Sequence, residues 1–524
     1  MSISFEDVPY EGRPIDTTRP ELIAVEAWLR GVPAAHPARA RVLELGCAEG
    51  ANLIPHAYHC PEARFVGVDS SPRMVATAQE RASRLGLDNI TFVCADILKL
   101  PAEADGPWDF IVCHGVFSWV PEPVRDAIFD ALGERLAPGG VGYVSYNVEP
   151  GWATRGLVRQ VLMARTRRID DPREKLQEAR ELLTFLADTP FADHHYAASM
   201  AVDAKNLLTH RDPYIAHEYL TGVNEAFRYG DIAKMAEARG LRFLAELSPI
   251  AHRGVEERMR SAVGHITDDP IEAEELTDVL YGRAFRASLF SRADATLRDV
   301  DEARASLLSE CGFVTRLSPR SSRVSLTDGD SEDFVDADDV RVAVTHPLLK
   351  ASLLELSRAF PVALTLSELT QRAGAVLQQR RVEGYAEGVS DAERDTLGED
   401  LMRLLSLRHL ELRVLWPEMV AAAGSRPRVS TLARSESRWF ASVTNVFHSP
   451  VYMDDAARYL VELMDGSRSR DELTTQLLAT LQKHAIQIRD EAGNALLGDK
   501  AIEFMRLFVD RHILLLESQG VMER

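Results

Sequence analysis
The chain reads as an α/β protein: a Rossmann-like domain with a helical insertion, followed by smaller α+β, winged-helix-like domains toward the C-terminus. Three observations predict this. Val42 to Gly50 is an apolar run that turns through a glycine loop into a helix. Further strand-like runs follow at Arg64–Asp69, Asn89–Ala95, Trp108–Cys113 and Val141–Tyr146, each ending on or immediately followed by a polar or acidic residue. Beyond about residue 330 the pattern changes to short helices closed by short apolar runs.

Each element has a local cause. Val42-Leu43-Glu44-Leu45 forms the first strand, and Gly46-Cys47-Ala48-Glu49-Gly50 the turn into a helix over Ala51 to Tyr58. A strand, a tight turn and a helix in that order surround one ligand with backbone N–H groups and a helix N-terminus. Gly46 allows positive φ, and Gly50 allows close approach of the backbone. The spacing is E-x-G-x-x-x-G, neither the G-x-G-x-x-G of dinucleotide folds nor a phosphate loop. The second strand ends on Asp69, placed to accept from ribose hydroxyls, and Ser70-Ser71-Pro72 opens the next helix with a hydroxyl cap and a first-turn proline. Met74, Val75 and Ala78 continue it at helical spacing, and Asp96-Ile97 closes the third strand. His114 to Pro121 follows the fourth strand, and Pro138-Gly139-Gly140 precedes the fifth.

The domain boundaries expected are 1–150 for the nucleotide-binding core, 151–228 for a helical insertion acting as lid or dimer surface, and 229–300 for completion of the sheet. A middle winged-helix-like unit takes 330–424 and a C-terminal one 430–524. Thr327 to Asp333 and Ser425 to Ser430 read as linkers. In the insertion, adjacent His194 and His195 cannot face one site on a helix, and no third ligand stands at metal spacing, so no metal is expected. A final helix is expected over Lys500 to Arg511, followed by apolar Ile513 to Leu516.

Composition narrows function. A formal charge of -20 argues against nucleic acid as the main partner. The basic stretch Arg155, Arg159, Arg165, Arg167 and Arg168 alternates with apolar residues as a solvated helix face does. No apolar run approaches the ~20 residues of a membrane span, and the first residues lack the regions of a secretion signal. Five unclustered cysteines indicate neither a disulfide frame nor a zinc site, and a cytoplasmic location is the default expectation.

The glycine loop resembles the first motif of class I S-adenosylmethionine-dependent methyltransferases. Val8-Pro9-Tyr10, Leu43 to Pro55, His114 to Pro121, Tyr143-Val144-Ser145-Tyr146-Asn147, Pro150-Gly151-Trp152 and His217-Glu218-Tyr219-Leu220 resemble one bacterial branch. That branch carries a methyltransferase regulatory domain and includes rickettsial protein-lysine methyltransferases. The family's Q-T-H-P near the N-terminus is Asp16-Thr17-Thr18-Arg19-Pro20 here, so the family's His is absent and no role is carried to that segment.

The resemblance implies S-adenosyl-L-methionine as cofactor, with Glu44 near its amine, Asp69 at the ribose and Asp96 at the adenine. Gly46, Cys47, Ala48, Gly50 and Asn52 would surround it from the loop, with Ser70, Met74, Ile97, His114, Gly115 and Phe117 beyond. Methyl transfer needs in-line alignment and exclusion of water, and aromatic faces attract methylsulfonium and methylammonium groups. Tyr10, Phe117, Trp119 and Tyr146 are therefore candidate channel walls, and Asn147 and His114 candidate partners of an incoming amine. Tyr10, Trp119, Tyr146 and Asn147 form the expected catalytic set. The leading expectation is a protein-lysine N-methyltransferase whose C-terminal modules present a polypeptide. A small-molecule (natural-product) methyltransferase and a non-catalytic cofactor sensor are the alternatives, and a homodimer through the insertion is compatible with its apolar stripe.

Overall fold
A central sheet orders the N-terminal half. The computed structural model describes residues 8, 12–188, 194–247, 253–336, 340–415, 419–420, 422–489 and 495–523, the side chains of 253–257 excepted. Helix α1 (Pro20–Trp28) precedes β1 (Arg41–Leu45), α2 (Leu53–His59), β2 (Arg64–Asp69), α3 (Pro72–Arg84), β3 (Ile90–Cys94) and β4 (Trp108–Cys113). Then come α4 (Glu122–Arg135), β5 (Leu136–Val148), α5 (Glu149–Thr166), α6 (Pro172–Ala187), α7 (His195–Leu208) and α8 (Asp212–Tyr219). β6 (Ala226–Phe227), α9 (Tyr229–Glu237), β7 (Leu241–Glu246), α10 (Arg253–Val263), α11 (Pro270–Tyr281) and β8 (Phe285–Arg292) complete this half.

The strand order is β3-β2-β1-β4-β5-β8-β7, with β6 paired to the end of β5. β1 to β5 are parallel, and β8 runs antiparallel between β5 and β7. Both faces are covered, so β4 is apolar but for Asp109 and β1 carries Val42, Leu43 and Leu45 alongside its polar positions, as buried parallel strands require. Ser71 caps α3, with Pro72 in its first turn. The insertion, α5 to α8, has its own core around Trp152, Leu162, Leu183 and Tyr219.

The C-terminal half contains α12 (Val300–Glu310), β9 (Gly312–Val314), β10 (Ser318–Pro319), β11 (Glu332–Val335), β12 (Arg341–Val344) and α13 (Pro347–Ala359). β13 (Leu364–Thr365), α14 (Leu366–Gln379), α15 (Asp391–Ser406) and β14 (Glu411–Arg413) follow, with β13 and β14 flanking β9 in one small sheet. The last unit has β15 (Arg428–Val429), α16 (Thr431–Glu436), β16 (Ser442–Thr444), β17 (Pro450–Tyr452), α17 (Asp455–Leu463), α18 (Arg470–Lys483), α19 (Asp499–Ser518) and β18 (Met522–Glu523). Thr365 with Glu368 forms the expected capping box.

Three expectations are corrected. The 327–333 stretch is not a free linker: Lys350 Nζ donates to the carbonyls of Thr327 and Asp330, and Glu332 starts β11. Arg428 and Val429, expected in the second linker, pair with β18. The last helix does not stop at Arg511; α19 runs on to Ser518 because Ile513 and Leu516 continue its buried stripe. Among the described residues, no helix is long and apolar enough to cross a membrane.

Candidate functional site
The glycine loop sits where β1 ends. Gly46 has φ +79° and a Cβ there would lie 2.4 Å from Val116 Cγ2, while at Gly50 (φ +71°) it would meet Phe92 Cζ at 2.6 Å. Ala48 also takes positive φ (45°), held by its N–H donating to Asp69 Oδ2 at 2.9 Å. Asp69 Oδ1 accepts from Ser71 N at 2.9 Å, so the acid at the end of β2 ties the loop to the start of α3. Cys47 is buried behind the loop, which pushes its thiol well up, and its N–H bonds Val68 O.

Glu44 is the chemical centre of this turn. It is 3% exposed; Asn52 Nδ2 donates to Oε1 at 2.7 Å, and Oε2 is buried with no hydrogen-bond partner. Burial pushes its carboxyl up to about 7, against the Asn52 bond that lowers it. A buried carboxylate oxygen without a donor calls for a cation or an N–H. That orphan oxygen, beside a glycine cradle, fits an aminoacyl ammonium. Asp96 at the end of β3 is exposed, with Oδ1 accepting from Leu98 N. Ile97 and Met74 are half-buried and Ser70 is exposed, so these side chains stand at the rim of the strand ends.

After β4, Gly115 (φ +67°) donates its N–H to Ser145 Oγ at 2.9 Å. His114 Nδ1 lies 2.9 Å from Tyr143 Oη, which lies 3.0 Å from Thr17 Oγ1, and Phe285 meets the imidazole edge-on at 5.9 Å. Burial and nearby Arg13 push His114 down to about 4. The N-terminal segment crosses the loop: Gly12 N donates to Glu49 Oε1 at 2.8 Å and Ile15 N to Asn52 Oδ1 at 3.0 Å.

The expected catalytic set divides. Tyr10 lies outside the described residues. Trp119 is half-buried just past β4. Asn147 is at the end of β5, its N–H donating to Ser118 Oγ and its Nδ2 to Asn224 Oδ1, both at 2.9 Å. Tyr146 and Phe117 are the remaining expected channel walls. Both are fully buried; Phe117 packs on Phe129, Tyr146 and Phe227, and Tyr146 Oη reaches Ser288 Oγ at 3.1 Å. Alternation along β5 is the cause: Tyr143 and Tyr146 point to opposite faces, and the His114 side is Tyr143's. Tyr143, Ser145, Ser118 and Asn224 have no role expected from the sequence, though period two along β5 groups Tyr143 and Ser145 with Asn147.

The family described as "Methyltransferase domain" matches residues 42–140, "Predicted methyltransferase regulatory domain" 211–292, and "PKMT, C-terminal winged helix domain" 425–520. Uncharacterized protein RP789 of Rickettsia prowazekii is 25% identical over 498 residues, 93% of this chain and 88% of its own. Uncharacterized protein RP028 of the same organism is 31% identical over 243 residues, 46% of this chain and 97% of its own. The structure of PKMT2 from Rickettsia typhi in complex with AdoHcy has TM-score 0.83 at 23% identity, spanning 98% of this chain and 100% of that one. Trans-aconitate 2-methyltransferase of Methylobacterium nodulans is 36% identical over 112 residues, 21% of this chain and 39% of its own.

Proposed function
From the premise that the chain belongs to the class I S-adenosylmethionine-dependent methyltransferases carrying a regulatory domain, we propose that its methyl acceptor is a lysine side chain of a protein. When bound, the cofactor supplies an electrophilic methyl group on sulfonium, so the chain must hold it, orient a nucleophile and exclude water. Glu44, the Gly46–Gly50 loop, Asp69 and Asp96 would hold it, by orphan carboxylate, turned backbone and strand-end acids respectively. Asn52 fixes the Glu44 carboxylate.

The observation carrying the lysine reading is His114. A lysine ammonium must shed a proton before it can attack, and entry into an apolar aromatic setting favours the neutral amine. His114 is kept neutral, so its imidazole can accept a hydrogen bond from that amine and pass a proton through Tyr143 and Thr17. Phe285, edge-on to the imidazole, favours a methylated ammonium there. The C-terminal modules, whose last unit matches the PKMT winged-helix family, would present the polypeptide. The net acidity of the chain suits a basic peptide.

A second reading has its own observation. Exposed Arg13 lies within electrostatic reach of His114, as a small carboxylic acid acceptor would want. Incubating the full chain and labelled cofactor with a cell extract separates the two, read by mass spectrometry of digested protein. Mono- to trimethyl-lysine in one or a few proteins supports the proposal; label confined to small molecules refutes it, and sensitivity of that label to Arg13→Gln points to an acid.

A further inference from the structure
A cavity of about 380 Å³ opens where the nucleotide-binding half, the middle unit and the C-terminal unit meet. It lies within the size range of small-molecule sites. Its wall brings together Arg19 and α1, His56 and His59 of α2, Arg413 of β14, Arg428 of β15, and His448. Three guanidinium groups and three neutral imidazoles line it beside two carboxylates, Glu21 and Glu523, while Arg19 is paired with Glu411 at 2.7 Å. Glu21 is already consumed: Oε1 accepts from Val414 N and Leu415 N, and Oε2 pairs with Arg413 Nε at 3.2 Å. Arg428 is exposed and has no ion-pair partner among the described residues. The three imidazoles are all pushed down by burial and by each other or by Arg19 and Arg413, the environment a bound anion would relieve.

His448 carries the cavity to the cofactor loop. It has φ +56°, a conformation a non-glycine residue rarely holds without a structural demand. Asn445 Oδ1 accepts from Phe447 N at 3.0 Å and Ser449 N at 2.9 Å, and so fixes the turn that presents it. Its ring stacks on His56 at 3.8 Å, and its Nε2 lies 2.8 Å from Asn52 Oδ1. Ile15 N donates to that same oxygen and Asn52 Nδ2 to Glu44, so the amide orientation is set and His448 Nε2 must carry the proton.

We propose that this cavity is a second binding site, for a small molecule bearing a phosphate or carboxylate group, whose occupancy is read by the cofactor loop through His448, Asn52 and Glu44. An anion held by Arg428, with the paired Arg413 behind it adding positive potential, keeps His448 seated on Asn52, which stiffens the Glu44 carboxylate. The coupling half rests on Glu44 contacting the cofactor, whereas anion binding itself does not.

The full chain without cofactor is titrated with inorganic phosphate at constant ionic strength, following the ³¹P line width. AdoHcy affinity is measured by calorimetry with and without saturating phosphate. Phosphate should broaden in the presence of the protein and tighten AdoHcy at least about fivefold, with AdoHcy tightening phosphate by the same factor. Arg428→Gln, outside the buried pairs and so tolerated by the fold, should weaken phosphate at least about tenfold, because each charge-assisted bond contributes that order. His448→Gln should keep the broadening and lose the tightening. Citrate that displaces phosphate and reproduces the tightening assigns the site to polycarboxylates; citrate without effect assigns it to phosphoryl groups. No broadening, broadening unchanged in Arg428→Gln, displacement of phosphate by AdoHcy, or unaltered coupling in His448→Gln each overturns the proposal.

Discussion
Replacing Glu44 with Gln tests the site at its centre, through pH. The carboxyl is 3% exposed and pushed from its ordinary 4.5 to about 7, mainly by desolvation. Between those values the folded chain without cofactor binds the proton and the unfolded chain does not, so stability falls as pH rises. The loss through that window is about 3 kcal/mol, at about 1.4 kcal/mol per pKa unit. Cofactor affinity should move the opposite way. An ammonium partner favours ionised Glu44, so below about pH 7 binding must expel a proton, and affinity climbs by up to tenfold per pH unit. From pH 5.5 to 7.5 that amounts to roughly thirtyfold, before the ligand's own amine, with an ordinary pKa near 8, begins to titrate. Glu44→Gln should be flat across the window and at pH 7.5 bind roughly 10- to 150-fold more weakly, the loss of a charge-assisted hydrogen bond. The same variant without cofactor should resist urea better at pH 8, by up to about 3 kcal/mol. Calorimetry with AdoHcy in buffers of different ionisation heat reads both affinity and proton release. A wild-type affinity that is flat from pH 5.5 to 7.5 with no proton released, or a variant that parallels wild type, refutes the assignment of Glu44.

Other perturbations follow from the same geometry. Gly50→Ala places a Cβ 2.6 Å from Phe92 Cζ at φ +71°, and should lower stability by about 1–3 kcal/mol in a urea titration. Asn52→Ala leaves Glu44 without its donor and His448 and Ile15 without their acceptor, so AdoHcy affinity measured by calorimetry should fall at least about tenfold. His114→Gln should cut kcat about 10²- to 10⁴-fold while AdoHcy affinity stays within about threefold; equal losses in both would make it a cofactor ligand only. Glu21→Gln should destabilise the chain by about 3–5 kcal/mol, because it strands buried Arg413, and thermal unfolding reads it.

The parts of this structure legible in the sequence are those fixed by local chemistry. Gly46 and Gly50 are required by positive φ, Ser71-Pro72 and Thr365 with Glu368 by helix caps, and the apolar β4 by its two covered faces. What was hidden depends on partners far along the chain. His448 meets Asn52 across 396 residues, and Arg19 meets Glu411 across 392. No periodicity encodes either contact. The placing of Tyr146 depends on such partners too. The alternation along β5 was readable, but which face turned toward the site depended on where His114 and the N-terminal segment docked. The stretch 327–333 looked like a linker because acids and glycine dominate it, yet a buried Lys350 under it supplies the compensating charge.

Helix α1 explains why the cofactor loop is not a self-contained module. Its first turns and the residue before it face the middle unit: Arg19 bonds Glu411 at 2.7 Å, Glu21 accepts from Val414 N and Leu415 N, and Glu26 pairs with Arg408 at 2.6 Å. On α3, Arg81 donates to Glu49 O in the loop at 2.7 Å and lies 4.3 Å from the Phe440 ring of the C-terminal unit. Arg84 lies similarly over Trp439 at 4.9 Å. The buried pairs of Arg19, Glu21 and Glu26 are satisfied only when the units are together, and removing one partner leaves the other uncompensated at a cost of several kcal/mol. A truncated chain ending near residue 300 therefore exposes Arg19, Glu21 and the underside of α3 at once. The loop conformation depends on Arg81 and Asn52, both of which lose a C-terminal contact in that truncation. The C-terminal units thus shape cofactor binding even before any substrate reaches them.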